Sequence, residues 1–452
     1  MSAVFYTLGV VAFVLAILVS IGLHELGHMI PAKKFGGKVT QYFIGFGPTV
    51  WSKRVGETEY GVKAIPLGGY VKIIGMLPPG ADDLAETSTD ADGNQVIRVR
   101  KSNTGMFTQL VAESRAAEWE LIGPEDSDRL FYKLPSWQKI VVMAGGPMVN
   151  IAIAFFLFLG IFSIYGVRTA EPAAGPPRVD EVSDCVLPAT ETRACTADDP
   201  VAPAKDAGLE PGDVIVTFNG QDVPDWAALQ QAIRGNENGR AEIGIERDGE
   251  PMTLTTSTTV AARPLEAGDE ELVQVGFLGV TPVTEIVVDR GGVLFTLQEM
   301  GGMTVRTVEA IATLPVKVFH VAQAIVGVRE RDPNGPVSIV GGGRFAGEVA
   351  AEEAFPLAEK SVFLLTLVAS FNFFIGMFNL VPLLPLDGGH IAGALWEALR
   401  RGFARLRGRP DPGHVDVAKM LPVAYVMGIA MALMGVVLIV ADLVVPLSLT
   451  GS

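Results

Sequence analysis

Four long stretches without charged side chains constrain this chain more than any other feature. They cover residues 3–23, 140–167, 361–386 and 420–441. A helix needs about 20 apolar residues to cross the hydrocarbon core of a bilayer, and each stretch is long enough. The sequence therefore predicts four membrane-spanning helices, with the charged residues placed in the segments between them.

The composition agrees with a membrane protein and excludes several other classes. Hydrophobic residues make up 49% of the chain and charged residues only 19%, which is too apolar for an ordinary soluble enzyme or a disordered chain. The formal net charge of -15 makes nucleic acid an unsuitable partner. Two cysteines can form neither a Cys₄ zinc site nor a disulfide scaffold.

Basic residues in the short loops predict the orientation of the spans. They cluster after the first and the third span, at Lys33, Lys34, Lys38, Lys53 and Arg54, and at Arg400, Arg401, Arg405, Arg407, Arg409 and Lys419. Loops rich in Lys and Arg stay in the cytoplasm. We therefore expect both loops to be cytoplasmic, and segment 168–360 and both termini to be extracytoplasmic.

The segments between the spans have distinct patterns. Residues 41–46 and 59–65 are β-rich and bounded by glycine and proline, which predicts paired strands. Residues 81–129 are polar and acidic, typical of a flexible insertion. Residues 178–263 alternate short strands with one helical stretch, as expected for a compact α+β module. Residues 310–328 are apolar but contain Lys317 and His320, which favours a packed amphipathic helix over a fifth span.

The motif His24-Glu25-Leu26-Gly27-His28 ends the first span. Positions i and i+4 share one face of a helix, so both imidazoles can reach a single ion, and Glu25 lies close enough to act on a water at that ion. Two helix-surface histidines without a metal are the alternative. At the end of a membrane span this alternative is poor, because polar groups there cost free energy unless they are used.

A catalytic zinc needs a third protein ligand, and Asp387 is the best candidate. It follows a long charge-free segment, where an unpaired carboxylate next to hydrocarbon would be unfavourable. Pro382 and Pro385 interrupt the preceding helix and free backbone near the ion. An interfacial aspartate that caps a following helix is the alternative. His390 is a rival ligand, although two histidines and one carboxylate already complete the set.

This donor set predicts peptide-bond hydrolysis near or within the membrane. Zn²⁺ lowers the pKa of a bound water to about 7 and polarises a carbonyl. Glu25 can accept the proton of the water and pass it to the leaving amine.

With these motifs the sequence resembles the site-2 protease family of intramembrane zinc metalloproteases (peptidase family M50), in particular the bacterial anti-sigma-factor proteases with one PDZ domain. The resemblance covers nearly the whole chain. It rests on the motifs HELGH at 24–28, GFGP at 45–48, AIPLGGYV at 64–71, GPMVN at 146–150, GPVSI at 335–339 and LDG at 386–388.

The resemblance implies that His24, His28 and Asp387 bind one Zn²⁺ and that Glu25 is the catalytic base. It implies that the paired strands form a membrane-associated β-hairpin, which holds an unwound substrate as an added strand. The extracytoplasmic module looks like a PDZ domain through residues 207–215 and the turn at 219–220. Such a domain binds an extended chain or a free C-terminus.

Asparagines in the third span are candidate substrate contacts. Many relatives have an asparagine five residues before the one that corresponds to Asn379, but here that residue is Phe374 and Asn372 lies nearby. Asn379 and Asn372 can each bind an unwound substrate backbone, or alternatively join helices by hydrogen bonds. Cys185 and Cys195 lie ten residues apart, and in an oxidising compartment we expect them to form a disulfide.

The sequence thus predicts an α-helical polytopic membrane protein with four transmembrane helices, a membrane-associated β-hairpin and an extracytoplasmic α+β PDZ domain. We expect it in the cell inner (plasma) membrane, with the active site near the cytoplasmic side. The expected segments are 1–39 (first span with HELGH), 40–75 (hairpin), 76–136 (cytoplasmic insertion), 137–167 (second span), 178–263 (PDZ domain), 264–360 (linker and amphipathic helices), 361–390 (third span with LDG), 391–419 (cytoplasmic loop) and 420–445 (fourth span).

The predicted function is hydrolysis of peptide bonds within the transmembrane segments of single-pass proteins in the lipid bilayer. By resemblance the substrates are anti-sigma factors after a first extracytoplasmic cut, with remnant signal peptides as a further class. Two alternatives differ in class. A catalytically inactive PDZ-bearing scaffold has no need for Glu25 or a third ligand, and a transporter is disfavoured by the lack of evident inverted repeats.

Overall fold

Two compact units make up the protein, one continuous and one formed by both ends of the chain. The computed structural model describes residues 2–78, 86–89, 95–98, 106–119, 122–189, 193–237, 239–264 and 272–447. The first unit combines Met1–Tyr165 with Gly291–Ser452, and the second is Gly166–Arg290.

The first unit contains most of the helices. The helices of the chain are α1 (Ser2–Lys34), α2 (Met106–Trp119), α3 (Ser136–Ile164), α4 (Pro203–Asp206), α5 (Trp226–Gly235), α6 (Val293–Ile325), α7 (Ile339–Ala351), α8 (Leu357–Asn379), α9 (Asp387–Leu406) and α10 (Leu421–Val444). The strands are β1 (Val39–Val55), β2 (Thr58–Ile73), β3 (Glu86–Thr89), β4 (Gln95–Arg98), β5 (Val167–Pro172), β6 (Val179–Val182), β7 (Val214–Phe218), β8 (Gln221–Asp222), β9 (Arg240–Arg247), β10 (Glu250–Ser257), β11 (Thr259–Pro264), β12 (Leu272–Phe277), β13 (Val280–Pro282) and β14 (Thr284–Asp289).

Among the described residues, five helices are long and apolar enough to cross a membrane, whereas the sequence predicts four spans. They are α1, α3, α6, α8 and the helix that ends in α10. The additional one is α6, which begins at Val293 and so extends the apolar stretch predicted at 310–328 toward the N-terminus. The chain is a multi-pass membrane protein with additional β structure, as predicted.

Strands β1 and β2 fold back on each other to form a sheet of four segments rather than a simple two-stranded ribbon. Phe43 pairs with both Gly61 and Tyr70, so the first half of β1 lies between the two halves of β2. The second half of β1 pairs with the start of β2 across the turn at Gly56. Residues 69–73 therefore form an edge, since they pair only with the first half of β1 among the described residues. The predicted strands at 41–46 and 59–65 are parts of these longer ones.

Small residues allow the helices of the first unit to pack closely around α1. A Cβ atom at Gly9 would lie 2.4 Å from the Ala346 carbonyl oxygen of α7, and one at Gly347 would lie 2.7 Å from the Tyr6 ring. A core of buried side chains that includes Phe13 and Ile17 of α1 lies at this contact. Glycine at these positions lets the two backbones approach.

Helix α9 is tied to α3 by a buried ion pair. Glu397 accepts hydrogen bonds from the Lys139 ammonium at 2.9 and 3.1 Å, and both side chains are buried. Burial alone would raise the pKa of Glu397, but the bonds from Lys139 and from the Val415 amide lower it below its ordinary value. The ion pair holds α9 in register with α3.

The predicted insertion at 76–136 lies partly outside the described residues. Its described part contains the β3–β4 hairpin and helix α2, whereas the polar, acidic composition of 81–129 predicts a flexible segment. The Glu118 carboxylate accepts the Met76 amide at 2.5 Å, and Arg115 pairs with Asp416 at 2.6 Å. These contacts hold α2 against the end of the β1–β2 sheet at Met76 and against the segment before α10 at Asp416. Composition alone does not predict such contacts.

The second unit is an α+β module built on the four-stranded sheet β10-β9-β7-β8. Helix α5 covers the sheet through Leu229 and Ile233, and its first turn is capped by the Asp225 carboxylate at 2.8 Å from the Ala228 amide. Leu278, beyond the predicted limit of 263, also belongs to this core. The unit spans Gly166–Arg290, so it extends past the predicted module of 178–263 on both sides.

Two further features stabilise the second unit. Cys185 and Cys195 are joined by a disulfide. Asp213 is buried, and its carboxylate accepts two hydrogen bonds from the Arg247 guanidinium at 2.7 and 2.8 Å. Burial would raise the pKa of Asp213, but these bonds and one from the Glu210 amide lower it below its ordinary value.

Candidate active site

The three functional side chains of the HELGH motif lie near the C-terminal end of α1. His24, Glu25 and His28 are all buried. The two imidazoles share one face, as the i, i+4 spacing predicts, and their Nε2 atoms lie 3.2 Å apart. The helix continues past them to Lys34, and Gly36 follows with φ +85, a conformation that suits glycine after a helix end.

Asp387 reaches the same point from the start of α9. Its Oδ2 atom lies 3.4 Å from His24 Nε2 and 3.3 Å from His28 Nε2. Helix α8 ends at Asn379, and α9 begins only at Asp387, after the segment that contains Pro382 and Pro385. Because Asp387 lies in the first turn of α9, the positive end of the helix dipole also stabilises its negative charge.

These three side chains fit a zinc ion. The distances between their ligand atoms are 3.2, 3.3 and 3.4 Å, and a tetrahedral ion with bonds of about 2.0–2.1 Å has edges of about 3.3–3.4 Å. Within the described part of the chain, they are the one group of three His, Cys, Asp or Glu side chains close enough to hold a metal. His390, the rival ligand, does not belong to this group.

A backbone contact orients His28 toward the other ligands. Its Nδ1 atom lies 2.8 Å from the Val142 carbonyl oxygen of α3. A carbonyl only accepts hydrogen bonds, so Nδ1 carries the proton and Nε2 offers its lone pair to the site. The sequence did not predict this contact, because it depends on how α3 crosses α1.

Glycines of α3 leave the space that an ion needs. A Cβ atom at Gly146 would lie 2.2 Å from His28 Nε2 and 2.7 Å from His24 Nε2. A Cβ atom at Gly145 would lie 2.0 Å from the Gly27 carbonyl oxygen. The backbones of α1 and α3 therefore touch beside the histidines, and any larger residue at 146 would enter the metal site. The motif at 146–150 supports the resemblance, but the sequence does not predict the space beside the histidines.

Glu25 faces the edge of the β1–β2 sheet. A Cβ atom at Gly69 would lie 3.0 Å from Glu25 Cγ and 3.1 Å from an Ile21 methyl group. Glu25 is also close enough to His24, His28 and Asp387 to interact electrostatically with all three. The edge segment 69–73 thus runs directly beside the carboxylate.

The two predicted substrate-contacting asparagines lie in different environments. Asn372 is fully buried in α8, and its amide nitrogen donates to Ser20 Oγ at 3.0 Å and to the Val368 carbonyl at 2.8 Å. Its Oδ1 atom has no hydrogen-bond partner in the described chain. Asn379 is the last residue of α8 and is half-buried. The contacts of Asn372 match the alternative role of joining helices.

Comparison with known proteins matches this chain to one family over most of its length. The model of peptidase family M50 matches residues 12–410. The zinc metalloprotease Rip1 of Mycolicibacterium smegmatis is 34% identical, over 98% of this chain and 99% of its own. Rip1 of Mycobacterium tuberculosis is 32% identical over the same shares. The regulator of sigma-W protease RasP of Bacillus subtilis is 26% identical, over 86% of this chain and 90% of its own.

These relatives confirm the predicted enzyme class and its metal, since both Rip1 proteins are named zinc metalloproteases and match nearly the full length of this chain. The chain belongs to peptidase family M50, the site-2 protease family of membrane zinc metalloproteases.

Proposed function

We propose that this protein cleaves peptide bonds within the transmembrane segments of single-pass membrane proteins. One observation carries the proposal. Side chains from two distant parts of the chain, His24 with His28 and Asp387, converge within 3.4 Å in a buried site, and Glu25 lies beside them. This arrangement serves hydrolysis and has no use in a scaffold.

Each residue of the site has a proposed role. His24, His28 and Asp387 hold zinc, which when bound supplies a Lewis acid for the scissile carbonyl and acidifies a water. Glu25 accepts a proton from the attacking water and donates it to the leaving amine nitrogen. The Val142 carbonyl keeps His28 in the tautomer that the site requires.

We propose four spans, with α6 outside the hydrocarbon. The contact between Val142 and His28 supports entry of α3 on the side where α1 ends. If α6 crossed the membrane, α8 would run in the opposite direction and its end would be far from His28. The 3.3 Å separation between His28 and Asp387 argues against this. Arg306 and Glu309, exposed in the middle of α6, would also be costly in lipid.

With this topology and the basic loops, we propose that both termini and the second unit lie on the extracytoplasmic side of the cell inner membrane. The site then lies near the cytoplasmic side. The helix α6 would lie at the outer surface, as the sequence predicts for an amphipathic helix.

The edge of the β1–β2 sheet is the proposed substrate-binding strand. A helical peptide bond is shielded by its own hydrogen bonds, so a transmembrane substrate must unwind before it is cut. Within the described structure, residues 69–73 pair with a strand on one side only, and they pass beside Glu25, whose carboxylate accepts a hydrogen bond from the Val71 amide. An unwound segment can pair with this edge. Asn379, at the end of α8, is a further proposed contact for the substrate backbone, and Asn372 a weaker one because its amide already joins α8 to α1.

The second unit is proposed to act as a PDZ domain that docks an extended chain. A cavity of about 230 Å³ lies between α5 and strand β12, lined by Ile233, Phe277 and Leu278 among others. The Arg263 guanidinium lies 4.2 Å from the Phe277 ring centroid beside it. An apolar groove with a cation suits a chain that ends in a carboxylate. Trimmed anti-sigma factors are the proposed substrates, supported by the name of the sigma-W regulator among the relatives.

The test uses Glu25→Gln in the full chain with a single-span substrate in detergent or membranes. The proposal predicts that the variant retains zinc and loses cleavage. The control is Glu353→Gln, which makes the same change at an exposed position and should leave both properties intact. Cleavage by Glu25→Gln at the wild-type rate would exclude Glu25 as the base, and its failure to bind zinc would assign it a structural role.

A further inference from the structure

One side of α9 is apolar and uncovered in the described structure. Its large exposed side chains are Leu395 (49% exposed), Trp396 (58%), Leu399 (54%), Phe403 (60%) and Leu406 (84%). From Trp396 onward they recur every three or four residues, and Leu395 lies one turn before Leu399, so all five form a single stripe along the helix. The opposite side contains Ala394 and Glu397, which are buried against the rest of the first unit.

Arginines cluster at the C-terminal end of this stripe. The segment 400–409 has five arginines and no acidic residue, in a chain whose net charge is -15. Arg400 and Arg401 bond within the protein, to the Pro412 carbonyl and to Glu397. Arg405, Arg407 and Arg409 are exposed, and none of them forms an ion pair with a described residue. Within the described residues, these three cations next to the apolar stripe therefore have no acidic partner.

The ends of α9 keep it close to the bilayer. Helix α8, which ends at Asn379, precedes α9 by a short segment, and helix α10, which begins at Leu421, follows α9. Both neighbours are long and apolar enough to cross the membrane. A helix held between two spans, with a stripe of leucine and aromatic residues and with arginines at its C-terminal end, matches the pattern of an interfacial helix.

We propose that α9 lies in the membrane interface and binds the phosphate headgroups of anionic phospholipids through Arg405, Arg407 and Arg409. The apolar stripe enters the acyl boundary, and the guanidinium groups meet the phosphates above it. Because Asp387 is the first residue of the same helix, this contact also holds the carboxylate at a fixed depth. The inference concerns a surface of α9, and the three arginines have none of the catalytic roles proposed above.

The test places an environment-sensitive fluorophore on α9 of the full chain, one copy per lipid nanodisc. Both native cysteines are in a disulfide, so a single added cysteine can be labelled in Phe403→Cys. The control, Pro410→Cys, lies just beyond the helix at an exposed position. We expect blue-shifted emission at 403 and water-like emission at 410, in discs of phosphatidylcholine mixed with phosphatidylglycerol.

The nature of the lipid is tested by quenching. Spin-labelled phosphatidylglycerol should quench the label at 403 more strongly than spin-labelled phosphatidylcholine. Near an anionic surface each basic side chain favours binding by roughly fivefold, so the triple variant Arg405→Gln/Arg407→Gln/Arg409→Gln should abolish this preference while the blue shift remains.

Three results would overturn the proposal. Water-like emission at 403 would show that the stripe does not enter the membrane. Equal quenching by both lipids in the parent chain would exclude anionic headgroups as the ligand. A blue shift that occurs only in discs with two copies would show that a second copy of the chain covers the stripe.

Discussion

Replacing Gly146 with alanine should destroy the metal site with a single methyl group. The new Cβ atom would lie 2.2 Å from His28 Nε2 and 2.7 Å from His24 Nε2. Ordinary contacts of this kind begin at 3.4 Å, so the shorter one is too close by about 1.2 Å (3.4 against 2.2 Å). The methyl group occupies the side of the imidazoles from which an ion would be bound.

The surrounding structure gives the histidines little room to move away. His28 is held by its 2.8 Å contact with Val142, one turn before Gly146 on the same helix. A shift of α3 is opposed by the contact between Gly145 and Gly27, where the backbones already touch. Changes in the outer shell of a metal site lower affinity by about 10–100-fold, and a group inside the first shell should cost at least the upper value, about 100-fold.

The assay is a zinc titration of the purified protein, followed by metal content and by the rise in melting temperature that zinc gives to a protein that binds it. Wild-type protein should gain thermal stability with zinc, and Gly146→Ala should not. Gly160→Ala is the matched control on the same helix, since a Cβ atom there meets nothing within 4 Å. Zinc affinity within a few-fold of wild type for Gly146→Ala would refute the reasoning.

Three further predictions concern stability. Lys139→Met should lower the free energy of unfolding by about 3 kcal/mol because it leaves Glu397 buried with one cation fewer, and part of that loss should be recovered in a double variant with Glu397→Gln; full stability of the single variant in detergent unfolding would contradict this. Replacing Cys185 and Cys195 by alanine should destabilise the second unit by about 3 kcal/mol, from the entropy of a short closed loop, as measured by chemical denaturation; an unchanged midpoint would argue against it. Asp213 has a lowered pKa, so its contribution is present above about pH 4 and is lost as the pH falls through the lowered value; Asp213→Asn should lack this acid-dependent step, and identical acid unfolding of both proteins would exclude it.

The spacing of His24 and His28 in the sequence is enough to predict that both side chains lie on the same face of their helix. An i, i+4 pair on a helix can only share a face, so His24 and His28 needed no tertiary information. Asp387 is predictable from its position after a long charge-free segment. A carboxylate next to hydrocarbon is costly unless it is paired, and this argument needs no knowledge of which residues it contacts. The structure places these side chains together, while their chemical roles stay predictions.

Features that depend on how helices cross were not predictable from this sequence alone. The space beside Gly146 exists because α1 and α3 touch at Gly27 and Gly145, and sequence patterns do not encode a crossing point. The carbonyl of Val142 has no side-chain signal at all. Glycine in a membrane span indicates close helix packing in general. It does not identify the neighbouring helix or the space that forms beside the contact.

The limits of segments were also difficult to predict. Helix α6 begins at Val293, before the stretch that its lysine and histidine marked as amphipathic. The core of the second unit includes Leu278, contributed after a segment that lies outside the described residues. In both cases packing against distant residues extends an element beyond its local pattern.

X-ray absorption at the zinc edge, measured on the purified full chain, tests the central claim most directly. The account predicts one zinc per chain, with two imidazole nitrogens and a carboxylate oxygen at about 2.0–2.1 Å. Loss of the oxygen contribution in Asp387→Asn should accompany a lower zinc occupancy. A third imidazole in the wild-type spectrum, as His390 would supply, or a chain that binds no zinc would contradict it.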